Sequence, residues 1–338
     1  PLKRLKIIFL LIGLSLLGYL IYRVGPEVLV EQLTRAGWGF AAVVGVALLS
    51  IVLMAVGWKA LLAPGKGRAG ILELSGASIV GAALNFVTPG SVGGEPVKAA
   101  LLKDKVPAEE LVSSVLLHNV VYWVSNLLLI VAGAIVAVAT LDLPVRLVGL
   151  LLGATVGVAV PVLLGAWLIH RGMAERFLKL LQRLGLKFKD AEAIMEKARN
   201  ADVLVQKFSK NHPKAFFLGF FWVFIGRAAS ILEVWVILWV MGYDVGASTV
   251  FLIQTTSLIV YIAFAFIPSQ LGANEGASYF LFPYVGLASG VGVAMEMLRR
   301  LRVISLVAIG MALLGLYSLR KPLPKVSAPL PKPTPPPR

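Results

Sequence analysis

Long runs of apolar residues occupy most of the chain, and short polar segments separate them. A membrane-spanning helix needs about 20 predominantly apolar residues, because it must cross a hydrocarbon core about 30 Å thick. Runs of this kind predict full spans over 6–22, 40–62, 111–139, 147–170, 216–241 and 297–319. The pattern therefore predicts an all-α polytopic membrane protein with about six full spans.

Two shorter apolar stretches, 71–87 and 250–267, end in breaks that resemble each other. In each break, proline follows the apolar stretch, glycine stands four positions after the proline, and glutamate stands six or seven positions after it. The first break contains Pro89, Gly90, Gly93, Gly94, Glu95 and, one turn later, Lys98; the second contains Pro268, Gly272, Asn274 and Glu275. Because proline and glycine interrupt helices, we predict two re-entrant or broken helical hairpins.

Basic residues mark the cytoplasmic ends of spans. They concentrate in the N-terminus, 64–68, 171–214 and 320–325. These positions agree with one another only if 71–105 starts and ends on the cytoplasmic side and 250–289 starts and ends on the outer side. The two hairpins then point at each other from opposite faces, as an inverted repeat. The same reasoning predicts a multi-pass protein with both termini in the cytoplasm.

The predicted organisation is a single integral membrane domain over 1–320. Repeat 1 covers about 6–170, and repeat 2 covers about 215–320. The basic connector between them, 171–214, has apolar residues at helical spacing, which predicts amphipathic cytoplasmic helices that contact anionic lipid. The Pro- and Lys-rich tail, 321–338, is expected to be disordered.

Composition strengthens the membrane interpretation and excludes several classes of function. Hydrophobic residues make up 58% of the chain and charged residues 14%, whereas soluble domains have about 25% charged residues. The net charge of +15 lies between apolar spans, so it is better explained by topology and anionic lipid than by nucleic acid. With no cysteine, the chain has no disulfide and no thiolate metal site. We expect neither metal nor cofactor.

Polar residues on one face of the span at 111–139 are candidates for lining a substrate path. His118, Tyr122 and Asn126 follow one another at four-residue spacing, with Asn119 beside them. Polar residues within a span usually face the interior of the helix bundle. The stripe therefore either joins helices through hydrogen bonds or lines a path for substrate, and the sequence leaves both open.

Charged residues inside the later spans need partners. Arg227 and Glu233 are six positions apart, about 240° around a helix, so they cannot pair with each other along it. Each requires a partner elsewhere or access to water. Arg299, Arg300 and Arg302 lie at the outer end of the last span or within it, where a cation costs roughly 2.5–3.5 kcal/mol. Either the second hairpin is misplaced and they face the cytoplasm, or they are retained for a charged partner.

The breaks have the chemistry of an anion site. A half-helix that begins near Glu95 offers unpaired N–H groups to an anion such as a lipid phosphate, and Lys98 adds positive charge. At the second break, Arg299 or Arg300 supplies the cation. Three roles stay open for Glu95 and Glu275, since each carboxylate can cap its half-helix, exchange protons or pair with a cation.

The two breaks, the basic connector and the Arg299-Arg300 pair together resemble a known family. Pro-x-x-x-Gly-Gly-Glu with Lys98, and the later Pro-x-x-x-Gly-x-x-Glu, are similar to the flippase-type membrane domain of lysyl-phosphatidylglycerol synthetases, including stand-alone and hopanoid-associated proteins. The resemblance implies an integral inner-membrane protein that translocates or handles a lipid. Relatives often carry Glu-Arg where this chain has His118-Asn119, which implies a subfamily with a different headgroup or coupling.

Three functions compete at this point. The leading hypothesis is a transporter that moves a phospholipid, an isoprenoid lipid or a hopanoid lipid by alternating access around the two breaks. The others are a non-transporting accessory subunit of a lipid-synthesis complex and an intramembrane lipid-modifying enzyme that uses His118 or the glutamates. No nucleophile–base spacing favours the enzyme, so we expect a non-enzymatic protein. The sequence leaves a homo-oligomer open.

Overall fold

The computed structural model describes residues 22, 26–62, 69–87, 94–170, 208–265, 267 and 270–320. These residues form α-helices and short 3-10 turns and contain no strand. The α-helices are α1 (Pro26–Ala36), α2 (Phe40–Ala60), α3 (Ile71–Val87), α4 (Gly94–Leu102), α5 (Ala108–Thr140), α6 (Val145–His170), α7 (Pro213–Val240), α8 (Ala247–Ala263), α9 (Ala273–Leu281) and α10 (Ser289–Arg320).

Five helical segments in these ranges are long and apolar enough to cross a membrane. They are Thr34–Ala60, Ser113–Thr140, Val145–Leu164, Pro213–Val240 and Ser289–Tyr317. The prediction of an all-α membrane protein is confirmed, and each of these segments overlaps a predicted span. The span predicted over 6–22, most of the connector and the tail lie outside the described residues.

The last helix is longer than the sequence pattern indicated. We expected the span to begin near Met297, but α10 begins at Ser289. Glu296 and the three arginines that follow therefore lie inside the helix rather than at its start. Their side chains find partners on neighbouring helices, which offsets the cost of burying charge within an apolar bundle.

Helices α2 and α7 pack through a seam of small residues. A Cβ atom added to Gly57 of α2 would lie 2.8 Å from the carbonyl oxygen of Gly219, and one added to Gly219 would lie 3.2 Å from that of Gly57. Further along the seam, a Cβ atom on Gly226 would lie 3.0 Å from the carbonyl oxygen of Ser50, whose hydroxyl donates to the Gly226 carbonyl at 2.7 Å. Small residues allow helix backbones to approach this closely within membranes.

Helix α4 folds back along α3. The Gly94 amide donates to Oδ1 of Asn85 at 2.8 Å, and the side chain of Lys98 lies against Gly81. Because the later residue on α4 contacts the earlier residue on α3, the two helices run antiparallel. Helices α3 and α4 therefore form the antiparallel pair expected of the first hairpin, and residues 88–93 between them lie outside the described part of the chain.

Two long helices each pack against a short helix from the other half of the chain. Gly133 of α5 lies against α8, where an added Cβ would stand 3.2 Å from the Phe251 carbonyl oxygen. Gly310 of α10 lies against α3, where an added Cβ would stand 2.9 Å from the Ile79 carbonyl oxygen. The two halves are thus interleaved, because each contributes its short helix to a contact with the long helix of the other.

Candidate functional site

Glu275 holds the second break through two different contacts. Its Oε2 accepts a hydrogen bond from the Gly272 amide at 2.9 Å, and its Oε1 forms an ion pair with Arg300. Gly272 caps α9 with φ +78°, a left-handed conformation that glycine adopts readily. The Glu275 side chain is fully buried. Two of the roles left open by the sequence, capping and cation pairing, therefore occur together.

Glu296 and Arg299 form a second pair on α10. Arg299 Nη1 lies 3.1 Å from Glu296 Oε1 and also donates to Ser257 Oγ at 2.9 Å. Its Nη2 donates to Gln254 Oε1 at 2.8 Å. On the other side, the Ser278 hydroxyl donates to Glu296 Oε1 at 3.2 Å. This pair joins α8, α9 and α10 in one polar cluster.

Arg302 completes the group of paired arginines on α10. Its Nη2 lies 2.8 Å from Glu233 Oε1 on α7. The two groups form an ion pair, but their relative orientation does not meet the geometry of a hydrogen bond. Each of the three arginines, at 299, 300 and 302, therefore has a carboxylate partner. These contacts supply the charged partners that one of the two explanations requires.

Arg227 lies in a different environment. Its Nε donates to Asn126 Oδ1 of α5 at 2.8 Å, and its guanidinium carbon lies 4.8 Å from the centre of the Tyr122 ring. As the helical geometry predicted, Arg227 and Glu233 do not pair with each other. The backbone carbonyl of Arg227 accepts from Ser230, whose hydroxyl accepts from Gln254. These bonds connect the environment of Arg227 to the cluster on α8–α10.

A third group lies near the first break. The Trp58 ring stands 5.9 Å from the His118 ring and donates from Nε1 to Ser114 Oγ at 3.0 Å. Lys98, in contact with Gly81, is near enough to His118 to interact with it electrostatically. The His118 stripe thus contacts α2 at one end and α7 at the other.

Several predicted site residues have a less defined setting. Asn119 is exposed, and Oδ1 of Asn274 is buried without a hydrogen-bond partner in the described ranges. Gly94 lies at the start of α4, in contact with Asn85. The remaining residues, namely Pro89, Gly90, Gly93 and Pro268 and the side chain of Glu95, lie outside the described residues.

A family model for the lysylphosphatidylglycerol synthase TM region matches residues 6–319. The chain belongs to this family. The resemblance drawn from the two breaks is thereby confirmed, and the match covers both halves and the connector. Comparison with curated proteins and with solved structures finds no match. Family membership and the apolar helices together identify a multi-pass, lipid-related membrane protein.

Within this family domain, sequence reasoning missed part of the polar cluster. Gln254, Ser257 and Ser230 each bond to the paired charges or to the residues beside them, yet none was proposed as a site residue. Four consecutive polar residues, 254–257, interrupt the apolar run of α8. That interruption was the available signal, because polar groups in a span usually face the protein interior.

Proposed function

We propose that this protein is a lipid transporter that works by alternating access, with the α3–α4 and α8–α9 hairpins around its substrate. The cargo is a phospholipid, an isoprenoid lipid or a hopanoid lipid with an anionic headgroup. Membership of a lipid-related membrane family and the charged residues within the bundle support this proposal. It assigns no catalytic step and no cofactor to the chain.

The interleaved packing of the two halves is the observation that carries the proposal. Suppose that α2, α3, α4 and α5 correspond to α7, α8, α9 and α10. The contact of α10 with α3 at Gly310 then corresponds to the contact of α5 with α8 at Gly133. Such an exchange is expected of an inverted repeat, which is the architecture of many secondary transporters.

The seam between α2 and α7 follows the same correspondence. Its two ends are the contact of Ser50 with Gly226 and the contact of Gly57 with Gly219. Ser50 and Gly57 are seven positions apart on α2, and Gly219 and Gly226 are seven positions apart on α7. Exchanging the two helices therefore maps one end of the seam onto the other. We infer that the two halves rock about this seam, where their backbones approach closely.

Glu275 gives the second hairpin a defined resting state. Because its carboxylate both caps α9 and pairs with Arg300, any movement that separates α9 from α10 leaves a buried charge without its partner. We propose that a proton or the substrate headgroup replaces one of these contacts when the site opens. In this proposal both termini lie in the cytoplasm, as the positive-inside pattern favours, and the protein lies in the inner membrane, as the family resemblance implies.

Reconstitution into liposomes tests the proposal. Phospholipids, an isoprenyl phosphate and a hopanoid, each with a fluorescent headgroup, are followed by their accessibility to an external quencher, with and without a proton gradient. We expect protein-dependent movement of at least one class. Glu275→Gln should slow it, whereas Glu31→Gln, in the exposed Arg35–Glu31 pair, should not. Rates equal to those of protein-free liposomes for every class would reject the proposal.

A further inference from the structure

Arg227 is a partly buried cation, and its contacts in the described part of the chain are with neutral groups. In the part of the chain that the structure describes, the arginines of α10 each pair with a carboxylate, but no carboxylate lies within ion-pair distance of Arg227. Its contacts there are the Asn126 amide and the Tyr122 ring. An arginine side chain does not lose its proton in a protein. A partly buried positive charge of this kind favours an anionic ligand.

The two contacts leave the outer edge of the guanidinium available. Asn126 accepts from Nε, and the Tyr122 ring lies under the plane of the group. No hydrogen bond from Nη1 or Nη2 is found among the described residues. The edge formed by these two nitrogens is the fork that binds phosphate through two parallel hydrogen bonds. Tyr261, 42% exposed and close enough to interact with Arg227 electrostatically, adds a hydroxyl group nearby.

The lining of an apolar groove includes Ala228, the residue that follows Arg227 on α7. The groove has a volume of about 420 Å³ and lies between α7 and α8. Ile231 lies four residues after Arg227, which places it about one turn further along α7 and about 40° around the helix axis from Arg227. The groove is lined by Ala228, Ile231, Leu232, Trp235, Val250 and Phe251. The cation and the groove are thus neighbours along α7, an arrangement that suits an amphiphile with an anionic head.

We propose that Arg227 and this groove form a binding site for one phosphate-bearing lipid. The phosphate accepts hydrogen bonds from Nη1 and Nη2 of Arg227, and one acyl chain lies between α7 and α8. Asn126 and Tyr122 orient the guanidinium for this contact. The site rests on the proposed function only for its role in transport, since binding itself is measurable without transport.

Binding to the purified full-length protein in detergent tests the site, with dioleoyl phosphatidic acid as the probe. Dioleoylglycerol has the same acyl chains without the phosphate, and inorganic phosphate has no acyl chain. Arg227→Gln removes the charge, Arg227→Lys keeps the charge without the fork, and Leu232→Trp fills the groove. Arg146→Gln and Leu150→Trp are the matched controls, because both residues are exposed on α6.

We expect Arg227→Gln to weaken phosphatidic acid binding on the order of tenfold or more, and Arg227→Lys to weaken it less. Leu232→Trp should also weaken binding, and the controls should leave it unchanged. Dioleoylglycerol should bind poorly to every variant. If Arg227→Gln fails to fold, Arg227→Lys and the lipid-facing Leu232→Trp still decide the outcome.

Three results would overturn the site. The first is equal phosphatidic acid binding by the wild-type protein and a folded Arg227→Gln variant. The second is phosphatidic acid binding by Leu232→Trp that is as strong as binding by the wild-type protein, which would show that the groove does not hold the lipid. The third is displacement of the lipid by an equal concentration of inorganic phosphate, which indicates a simple anion site.

Transport measurements separate this site from the proposed function. If binding depends on Arg227 but no lipid moves across liposomes, the site stands and the transporter proposal fails. If lipid moves at the wild-type rate in Arg227→Gln and binding is unchanged, the transporter proposal stands and the site fails.

Discussion

Arg302 of α10 lies 2.8 Å from the Glu233 carboxylate of α7. The two side chains are 22% and 9% exposed, so water does little to screen the pair. Removing one member of a buried pair leaves the other charge without compensation, which typically costs 3–5 kcal/mol. The ion pair therefore stabilises the packing of α7 against α10 inside the helix bundle.

We predict that Glu233→Gln lowers the free energy of unfolding by about 3 kcal/mol. Replacing both members with apolar residues, as in Glu233→Leu with Arg302→Met, should restore much of this loss because no charge is left unpaired. The measurement is unfolding in a mixed-micelle titration. Glu31→Gln serves as the control, since the Glu31 and Arg35 side chains are 58% and 50% exposed. Equal stability of Glu233→Gln and the wild-type protein would contradict the prediction.

We predict that Gly133→Ala and Gly310→Ala each lower the thermal midpoint. An added Cβ at Gly133 would stand 1.9 Å from Thr255 Oγ1, and one at Gly310 would stand 2.7 Å from Ala83 Cβ, so both helix contacts must open. Gly153→Ala is the control, because no atom lies within 4 Å of the added Cβ there. Alanine is favoured over glycine in a helix, so the control should keep or raise the midpoint.

Glu275 allows capping and ion pairing to be separated. Glu275→Gln keeps an oxygen that can accept from the Gly272 amide but loses the ion pair with Arg300, whereas Glu275→Leu loses both. We expect Glu275→Leu to be less stable than Glu275→Gln by about 1 kcal/mol, the usual value of a helix cap. Unfolding titrations of the two variants measure this difference. Indistinguishable stabilities would show that the hydrogen bond to Gly272 contributes nothing.

The first hairpin is tested at Asn85. Its Oδ1 accepts from the Gly94 amide at 2.8 Å, which holds the start of α4 against the end of α3. Asn85→Leu removes the acceptor and should lower stability by about 1–3 kcal/mol, because the Gly94 amide loses its partner. Asn85→Asp retains an acceptor and should lower stability less. A reversed order of the two variants in thermal unfolding would contradict this geometry.

The helices were predictable because their causes are local. Proline at 89 and the neighbouring glycines predicted where α3 ends, and runs of apolar residues predicted α2, α5, α6 and α7. Helix α8 ends at Ala263, four residues before the predicted end at 267. The family resemblance rested on the same breaks. These features depend on backbone geometry and on hydrophobic length, both of which are readable from neighbouring residues.

The charge partners were not predictable in the same way. Helical geometry alone shows that Arg227 and Glu233 need separate partners. It does not show that the partner of Arg227 is Asn126 or that the partner of Glu233 is Arg302, because this depends on which helices pack together. The same holds for the arginines of α10. The sequence places them near the start of a predicted span, but it does not reveal that the helix begins at Ser289 or that carboxylates on α7 and α9 pair with Arg302 and Arg300.

The neutral setting of Arg227 also has an electrical consequence. When the proposed site is empty, Arg227 carries a positive charge without an ion-pair partner among the described residues; when a phosphate with a single negative charge is bound there, that charge is cancelled. A full elementary charge moved across a membrane potential of 100 mV corresponds to about 2.3 kcal/mol. In the proposed transport cycle, the membrane voltage therefore acts on the return of the empty protein in proportion to the part of the field that Arg227 crosses, and acts little on the loaded movement.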